Sequence, residues 1–401
     1  MRSFHFKTRT VIIVLVVISF VLLSLSLVQQ LHNQHNELNL QSVNIPKPHK
    51  TKTVRFEFLK RQQRTYDTCV QEEVGIVQSV FTYAPKFLAF CPVAKVGSTF
   101  WKRILLFLHN DTNGLKFNHP FEIPRMLTHY GPRQSMKSQS FDRLSRPILR
   151  NMTRVLFVRD PYSRLWSAYL DKFFLPDFWR TYAKNIVLRR HERSLKADIC
   201  HHDVTFEEFL AYVVELKDEP GVLNEHWRPI QHICNPCEFR PHLLGKQESF
   251  AQDAKYVLNY FNLDYLLPSY DHNVHVEEEL RMLIKYNYRL LKQKHYDGCI
   301  TKQELAGKLW SVFELNGYLP LGSKTILDVT SNFTMNSFTD LVLKTHRNSP
   351  KTPTEWKRQR IEAMTAAYKS ISSNVIEGLQ ETFRMDFIHF NYDSIPPGKR
   401  V

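Results

Sequence analysis

Acidic residues are scarce in this chain. Against 54 Lys and Arg there are 39 Asp and Glu, so the 401 residues carry a formal net charge of +15. Such a surplus points to an anionic partner: nucleic acid, acidic lipid or a polyanionic glycan. No Gly-x-x-x-x-Gly-Lys-Ser/Thr occurs, which excludes a Walker A loop for a magnesium-bound nucleoside triphosphate. No Asp-x-Asp occurs either, the usual device for holding a metal and a nucleotide sugar. There is no internal repeat and no low-complexity tract. Only one Cys-x-x-Cys is present, Cys234 to Cys237, so a zinc site built with Cys200, His201 or His202 is disfavoured and no metal is expected.

One long uncharged run does occur. Val11 to Val28 is almost wholly apolar, long enough to span a bilayer as a helix, and Arg2, Lys7 and Arg9 precede it. A cleaved signal peptide has a shorter apolar core and a small-x-small site, and neither fits. The expected organisation is a cytoplasmic tail (1–10), a transmembrane signal anchor (11–28), a polar stem (29–65) and a lumenal body (66–401). Three sequons, at Asn110, Asn151 and Asn332, agree with that topology. The six cysteines would meet an oxidising compartment, and their 15 full pairings are not distinguishable from sequence. A lumenal body also excludes nucleic acid as the partner.

At 43% hydrophobic residues the body can build a full core. Phe87 to Cys91 reads as a buried strand, Val93 to Thr99 as a loop, and Phe100 to Leu108 as a helix. The loop offers a lysine (Lys95), a glycine that brings backbone close to a ligand (Gly97) and two hydroxyls (Ser98, Thr99), at a helix N-terminus. A second unit repeats the pattern: strand Val155 to Val158, then Arg159, an N-cap Asp160, Pro161 at the first helical position, and a helix to about Phe174 with Ser167 two turns in. A capping box at Thr205 to Glu208, a strand at Leu243 to Lys246 and a helix capped by Ser249 follow. Alternating strands and helices predict an α/β fold on a parallel sheet, with both units presenting cations at the carboxyl edge. Glu277 to Glu279 and Arg281 to Lys294 read as a helix with a solvated charged face.

Taken in order, Ala94-Lys95-Val96-Gly97 with Trp101-Lys102-Arg103, Phe157-Val158-Arg159-Asp160-Pro161 with Arg164-Leu165 and Ser167-Ala168-Tyr169, Phe206-Glu207-Glu208-Phe209, Asn224-Glu225-His226-Trp227, Cys234-x-Pro236-Cys237, Gly245-Lys246-x-Glu248 and the closing Asp386-Phe387 with Phe390-Asn391-Tyr392 resemble the Golgi carbohydrate sulfotransferases, nearest to the chondroitin and dermatan 4-O type. The resemblance runs from about Phe87 to Tyr260, with a further match at the C-terminus. Ala94 stands where a proline is usual, Ser98 where relatives often carry cysteine or alanine, and 262–350 does not align.

The resemblance implies a P-loop-like three-layer sandwich around a central parallel sheet, anchored as a single-pass type II Golgi membrane protein with a lumenal catalytic domain. It implies transfer of a sulfuryl group from 3′-phosphoadenosine 5′-phosphosulfate (PAPS) to a hydroxyl of an anionic, chondroitin- or dermatan-like glycan. Lys95 would face the 5′-phosphosulfate, with Val96, Gly97, Ser98, Thr99, Phe100 and Trp101 forming the loop. Arg159, Asp160 and Ser167 would hold the 3′-phosphate. Sulfuryl transfer needs charge where the leaving phosphate gathers electrons, assigned to Lys95, and a base for the acceptor hydroxyl. His129, in the proline-rich loop after Phe121-Glu122-Ile123-Pro124, is the first candidate for the base. His226 is the second and Glu248 a third, with a buttressing role as the alternative. The competing readings are a type II Golgi glycosyltransferase, against which the missing Asp-x-Asp counts, and an inactive glycan-binding protein of the same fold, against which Lys95, Arg159 and Ser167 count. Neither the sugar nor the oligomeric state is readable.

Overall fold

The computed structural model describes residues 49–69, 75–131, 138–139, 149–267, 272–324, 334–349 and 351–399. Val11 to Val28 and Asn332 lie outside them. Among the described residues no helix is long and apolar enough to cross a membrane.

Five strands form one sheet: β1 (Val80–Tyr83), β2 (Leu88–Cys91), β3 (Ser138–Gln139), β4 (Thr153–Val158) and β5 (Leu243–Lys246), in the order β3-β1-β2-β4-β5. β2, β4 and β5 run parallel, with Cys91 opposite Leu156 and Val158 opposite Lys246. Every residue of β2 and the last four of β4 are buried, as expected for strands covered on both faces. The sheet is nevertheless mixed where a parallel one was expected. Only Ala84 to Phe87 join β1 to β2, too few residues for a crossover, so β1 returns antiparallel, and it pairs antiparallel with β3 as well.

The longer helices are α1 (His49–Thr68), α2 (Ser98–Leu108), α3 (Pro161–Tyr169), α4 (Phe206–Glu215), α5 (Phe250–Tyr260), α6 (His272–Leu290), α7 (Lys302–Leu315), α8 (Met335–Arg347), α9 (Pro353–Lys369) and α10 (Ser373–Thr382). α4 begins with the expected Thr205–Glu208 capping box. Ser249 does not cap α5; its hydroxyl donates instead to Asp253 (2.8 Å).

The chain divides into two units, Met1–Lys52 and Thr53–Val401, and the sheet with all but the first turn of α1 belongs to the second. The expected stem boundary at residue 65 falls inside α1. From Val54 on, that helix is part of the folded body: Val54, Phe58 and Thr65 are buried, and the Phe58 ring meets Tyr256 at 4.7 Å. Arg61 donates to Asp253 (2.5 Å), and Arg64 to the Ile388 carbonyl (3.2 Å).

Two hydrophobic cores result. One surrounds the sheet, with Phe90, Trp101, Val155 and Phe157 at its centre. The other is helical, with Phe173, Trp179, Phe209, Trp227, Trp310 and Phe313. The stretch outside the motif resemblance, 262–350, contributes much of the helical core through Leu280, Ile284, Leu309 and Val342. Part of its charge is exposed as expected, with Glu277 bound to Arg347 (2.6 Å). Three disulfides pair all six cysteines: Cys69–Cys237, Cys91–Cys234 and Cys200–Cys299. The cysteines considered for zinc are therefore bonded to sulfur. Cys69, Cys237 and His389 lie close together, but two of those three atoms are the disulfide itself.

Candidate active site

Adjacent parallel strands end at the same edge, so the β2–α2 and β4–α3 units meet there. The β2–α2 loop makes a tight turn: Lys95 (φ 68°) and Gly97 (φ 84°) both occupy the left-handed region. A side chain at Gly97 is excluded twice, by that φ and by the Phe250 ring, which lies 2.3 Å from where a Cβ would sit. On the side where a Cβ would stand, the loop packs against Phe250. The first intrahelical bond of α2 runs from Trp101 N–H to the Gly97 carbonyl (3.3 Å), so the N–H groups of Ser98, Thr99 and Phe100 precede the ladder at the positive end of the helix dipole. Val96 and Trp101 are core residues, and the Phe100 ring packs on Phe121 and Phe250.

Arg159 extends from the end of β4. Its Nε donates to Ser163 Oγ (2.9 Å) and its Nη1 to the Lys95 carbonyl (3.1 Å), which ties the two loops together. Burial pushes this guanidinium below its ordinary value, and Arg360 on α9 adds repulsion. The hydroxyl that meets Arg159 is Ser163, one turn along α3, and Ser167 lies half-buried one further turn along the same helix. Asp160 is occupied as the α3 cap, accepting from Ser163 N–H (2.7 Å). Its own N–H donates to Glu248 (2.9 Å), whose other oxygen accepts from the Tyr392 hydroxyl (2.9 Å). Glu248 therefore braces the Arg159 turn.

Past Tyr169 the helix does not end. It widens into a π-helical turn, Leu170–Phe174, which carries Asp171 and Lys172 toward the Lys95 loop. Lys95 Nζ donates to Asp171 at 2.7 Å. Lys172 (3.5 Å) and Arg125 (3.8 Å) approach the same carboxylate. Lys172 also pairs with Asp177, which accepts from the Tyr286 hydroxyl of α6. Burial alone would raise the Asp171 carboxyl, but Lys172, Lys95 and Arg125 hold it well below the usual carboxylate range. Burial lowers Lys95 against the pull of Asp171.

The two histidines take different positions. His129 Nε2 lies 3.0 Å from Thr99 Oγ1, beside the Lys95 loop. His226 lies in the turn after α4, near Lys172 and Lys95. Its backbone N–H (3.0 Å) and its Nδ1 (2.6 Å) both face Asn224 Oδ1, whose amide donates to Tyr182 (3.1 Å). An acceptor opposite Nδ1 puts the proton there and leaves Nε2 with a lone pair. Burial first, then Lys172 and Lys95, hold the ring well below the ordinary histidine value, so it is neutral.

One buried side chain joins these parts. Arg164, 1% exposed, donates to the carbonyls of Ala94 (3.0 Å), Glu225 (2.7 Å) and Arg228 (2.6 Å), linking the Lys95 loop to the His226 turn. Sequence reasoning singled out neither Asp171 nor Arg125 and gave Arg164 no role; its spacing only marks one helical face. Of the sequons, Asn110 and Asn151 are exposed, at the end of α2 and just before β4.

Known proteins match this part of the chain. A model described as "Sulfotransferase family" matches residues 79–303, more than half of the chain. The chain is 31% identical over 203 residues to carbohydrate sulfotransferase 11 of Rattus norvegicus, covering 48% of this chain and 56% of that protein. It is 31% identical over 205 residues to carbohydrate sulfotransferase 12 of Xenopus laevis, covering 46% and 49%. With carbohydrate sulfotransferase 14 of Homo sapiens it shares 32% over 176 residues, 43% of each protein. The matches thus span about half the length of these curated relatives. No solved structure matches. The strand–loop–helix pair, its cations and the family match lie in the same stretch of sequence, and the chain belongs to the sulfotransferase family.

Proposed function

We propose that the chain transfers a sulfuryl group from PAPS to a hydroxyl of an anionic glycan. The observation that carries this is the joining of two cationic strand–loop–helix units at one sheet edge through the Arg159–Lys95 hydrogen bond (3.1 Å). Two separated anion sites fit a donor phosphorylated at both ends. The relatives' names, the basic surplus and the sequons support a carbohydrate acceptor.

The residues fit the donor. Arg159 uses Nε and Nη1 on Ser163 and Lys95, and the remaining edge of its fork suits a 3′-phosphate. Lys95, the hydroxyls of Ser98 and Thr99 and the first N–H groups of α2 suit the 5′-phosphosulfate. PAPS supplies an activated sulfuryl group and a phosphate leaving group. Lys95 supplies charge where electrons collect as the bond from sulfur to the 5′-phosphate oxygen breaks and the bond to the acceptor oxygen forms. His226 Nε2 takes the acceptor's proton, since the ring is neutral and its tautomer is set by Asn224. His129 holds Thr99 in the loop. A P-loop-like three-layer body and a type II Golgi anchor at Val11 to Val28, with a lumenal catalytic domain, complete the proposal. No metal takes part in it.

Incubation with labelled PAPS and desulfated chondroitin, dermatan and other glycans tests the reading, and transfer to none of them refutes it. Arg159→Ala should abolish PAPS binding, and unchanged affinity would remove the assignment of the 3′-phosphate site.

A further inference from the structure

At Asp171 three cations from three separate segments meet: Lys95 from the β2–α2 loop, Lys172 from its own turn, and Arg125 from the short helix Arg125–Tyr130. The Lys95 and Asp171 side chains are only 15% and 11% exposed. Around this pair stand His226 from the turn after α4, Asp177 behind Lys172, and Tyr286 of α6, whose ring lies 5.8 Å from the Arg125 guanidinium. Glu279 of α6 adds negative charge near Arg125.

A buried ammonium among two other cations loses its proton readily unless an anion faces it. Without Asp171, Lys95 would have Lys172 and Arg125 as charged neighbours and, among the described residues, no opposite charge within salt-bridge distance. Asp171 is the second residue of the π-helical turn, the kind of local widening that is frequent at functional sites. We infer that Asp171 is the positioning residue of the transfer site, anchoring Lys95 Nζ between Arg125 and Lys172 and keeping that ammonium protonated where the donor's phosphosulfate would lie. The catalytic meaning rests on the function proposed above; the control of Lys95 by Asp171 does not. Burial's downward pull on Lys95, opposed mainly by Asp171, agrees with the geometry.

The test is pH-dependent amine labelling of the folded chain, with mass spectrometry reading the Lys95 peptide. In Asp171→Asn the Lys95 midpoint should fall by about one to three pH units. Asp171→Glu should restore it close to the wild-type value. Arg125→Gln removes a like charge and should move the midpoint upward, so a second direction is open should the Asn variant fold poorly. An unchanged midpoint in folded Asp171→Asn, or a fall in Arg125→Gln, overturns the inference. A purely structural Asp171 would lower thermal stability without moving the midpoint. Labelling needs no turnover, so wild-type protein that transfers nothing from PAPS refutes the proposed function and leaves this measurement decisive. Where turnover is found, Asp171→Asn should lower kcat more than it raises KM for PAPS, with the alkaline limb of the rate profile moved to lower pH, and Asp171→Glu should recover part of kcat.

Discussion

Replacing Arg164 by methionine isolates the tie between the two halves of the site. Methionine keeps most of the length and apolar volume, so little of the effect arises from a cavity. What disappears is a charge and three donors. The bonds to Ala94, Glu225 and Arg228 are 3.0, 2.7 and 2.6 Å long, and all three acceptors are backbone carbonyls. Burial pushes this guanidinium down to about 10, so it is charged at neutral pH. A charged hydrogen bond is worth roughly 1.5–3 kcal/mol, and the three are not additive. Each buried carbonyl left without a donor costs about 1–3 kcal/mol, so the three together come to about 3–5 kcal/mol, a large part of the ~5–15 kcal/mol that holds a typical domain. Urea unfolding should therefore show Arg164→Met destabilised by about 3–5 kcal/mol at unchanged m. Arg164→Lys keeps the charge but cannot span three carbonyls, and should fall between wild type and Met. Where the variant is still folded, loosening the Lys95 loop from the His226 turn should cost turnover on the order of 10²-fold. A loss below about 1 kcal/mol in Met, or full recovery in Lys, would show that the three bonds do not hold the loops together.

Other parts of the fold give sharper single readings. Gly97→Ala meets both the positive φ and the Phe250 ring, and should cost about 1–3 kcal/mol in unfolding experiments; a neutral effect would mean the loop relaxes freely. Asp386 is buried and accepts from Ile230 N–H (2.7 Å) and Gln231 N–H (3.0 Å), yet burial raises its carboxyl to about 6. The folded state favours the protonated acid, so its contribution is complete below about pH 4 and is lost as pH climbs through about 6. Unfolding from pH 4 to 7 should show on the order of 2–3 kcal/mol of such loss in wild type, absent from Asp386→Asn; equal slopes would refute the assignment. Cys200→Ser with Cys299→Ser opens a disulfide spanning 99 positions and should destabilise by about 2–5 kcal/mol, as judged by the urea midpoint relative to wild type.

What was legible in the sequence follows the reach of each interaction. Asp160 caps α3 through an N–H three residues away, and Thr205 and Glu208 cap each other across the same distance, so type and spacing carried both. The buried strands were legible because apolar runs between turns have few alternatives. α1 was harder: its basic residues made it read as a solvated stem, while its buried stripe among the described side chains is Val54, Phe58 and Thr65. The β1–β2 hairpin was missed, and with it the mixed character of the sheet. The site divides the same way. Lys95 and Arg159 were found because each lies in the loop between its own strand and the helix that follows. Asp171 was not, because its partner lies 76 residues away and an Asp beside a Lys on a helix reads as a solvated pair. Arg164 was quoted only as part of a motif, because its acceptors are carbonyls, which carry no side-chain signal, in two loops 61 to 70 residues distant. Charges that receive a ligand must stand at an open edge and tend to leave a local mark. Charges that set the state of those groups work from the interior, through contacts made only by the fold, and here they hold both the Lys95 ammonium and the neutral His226 ring in place.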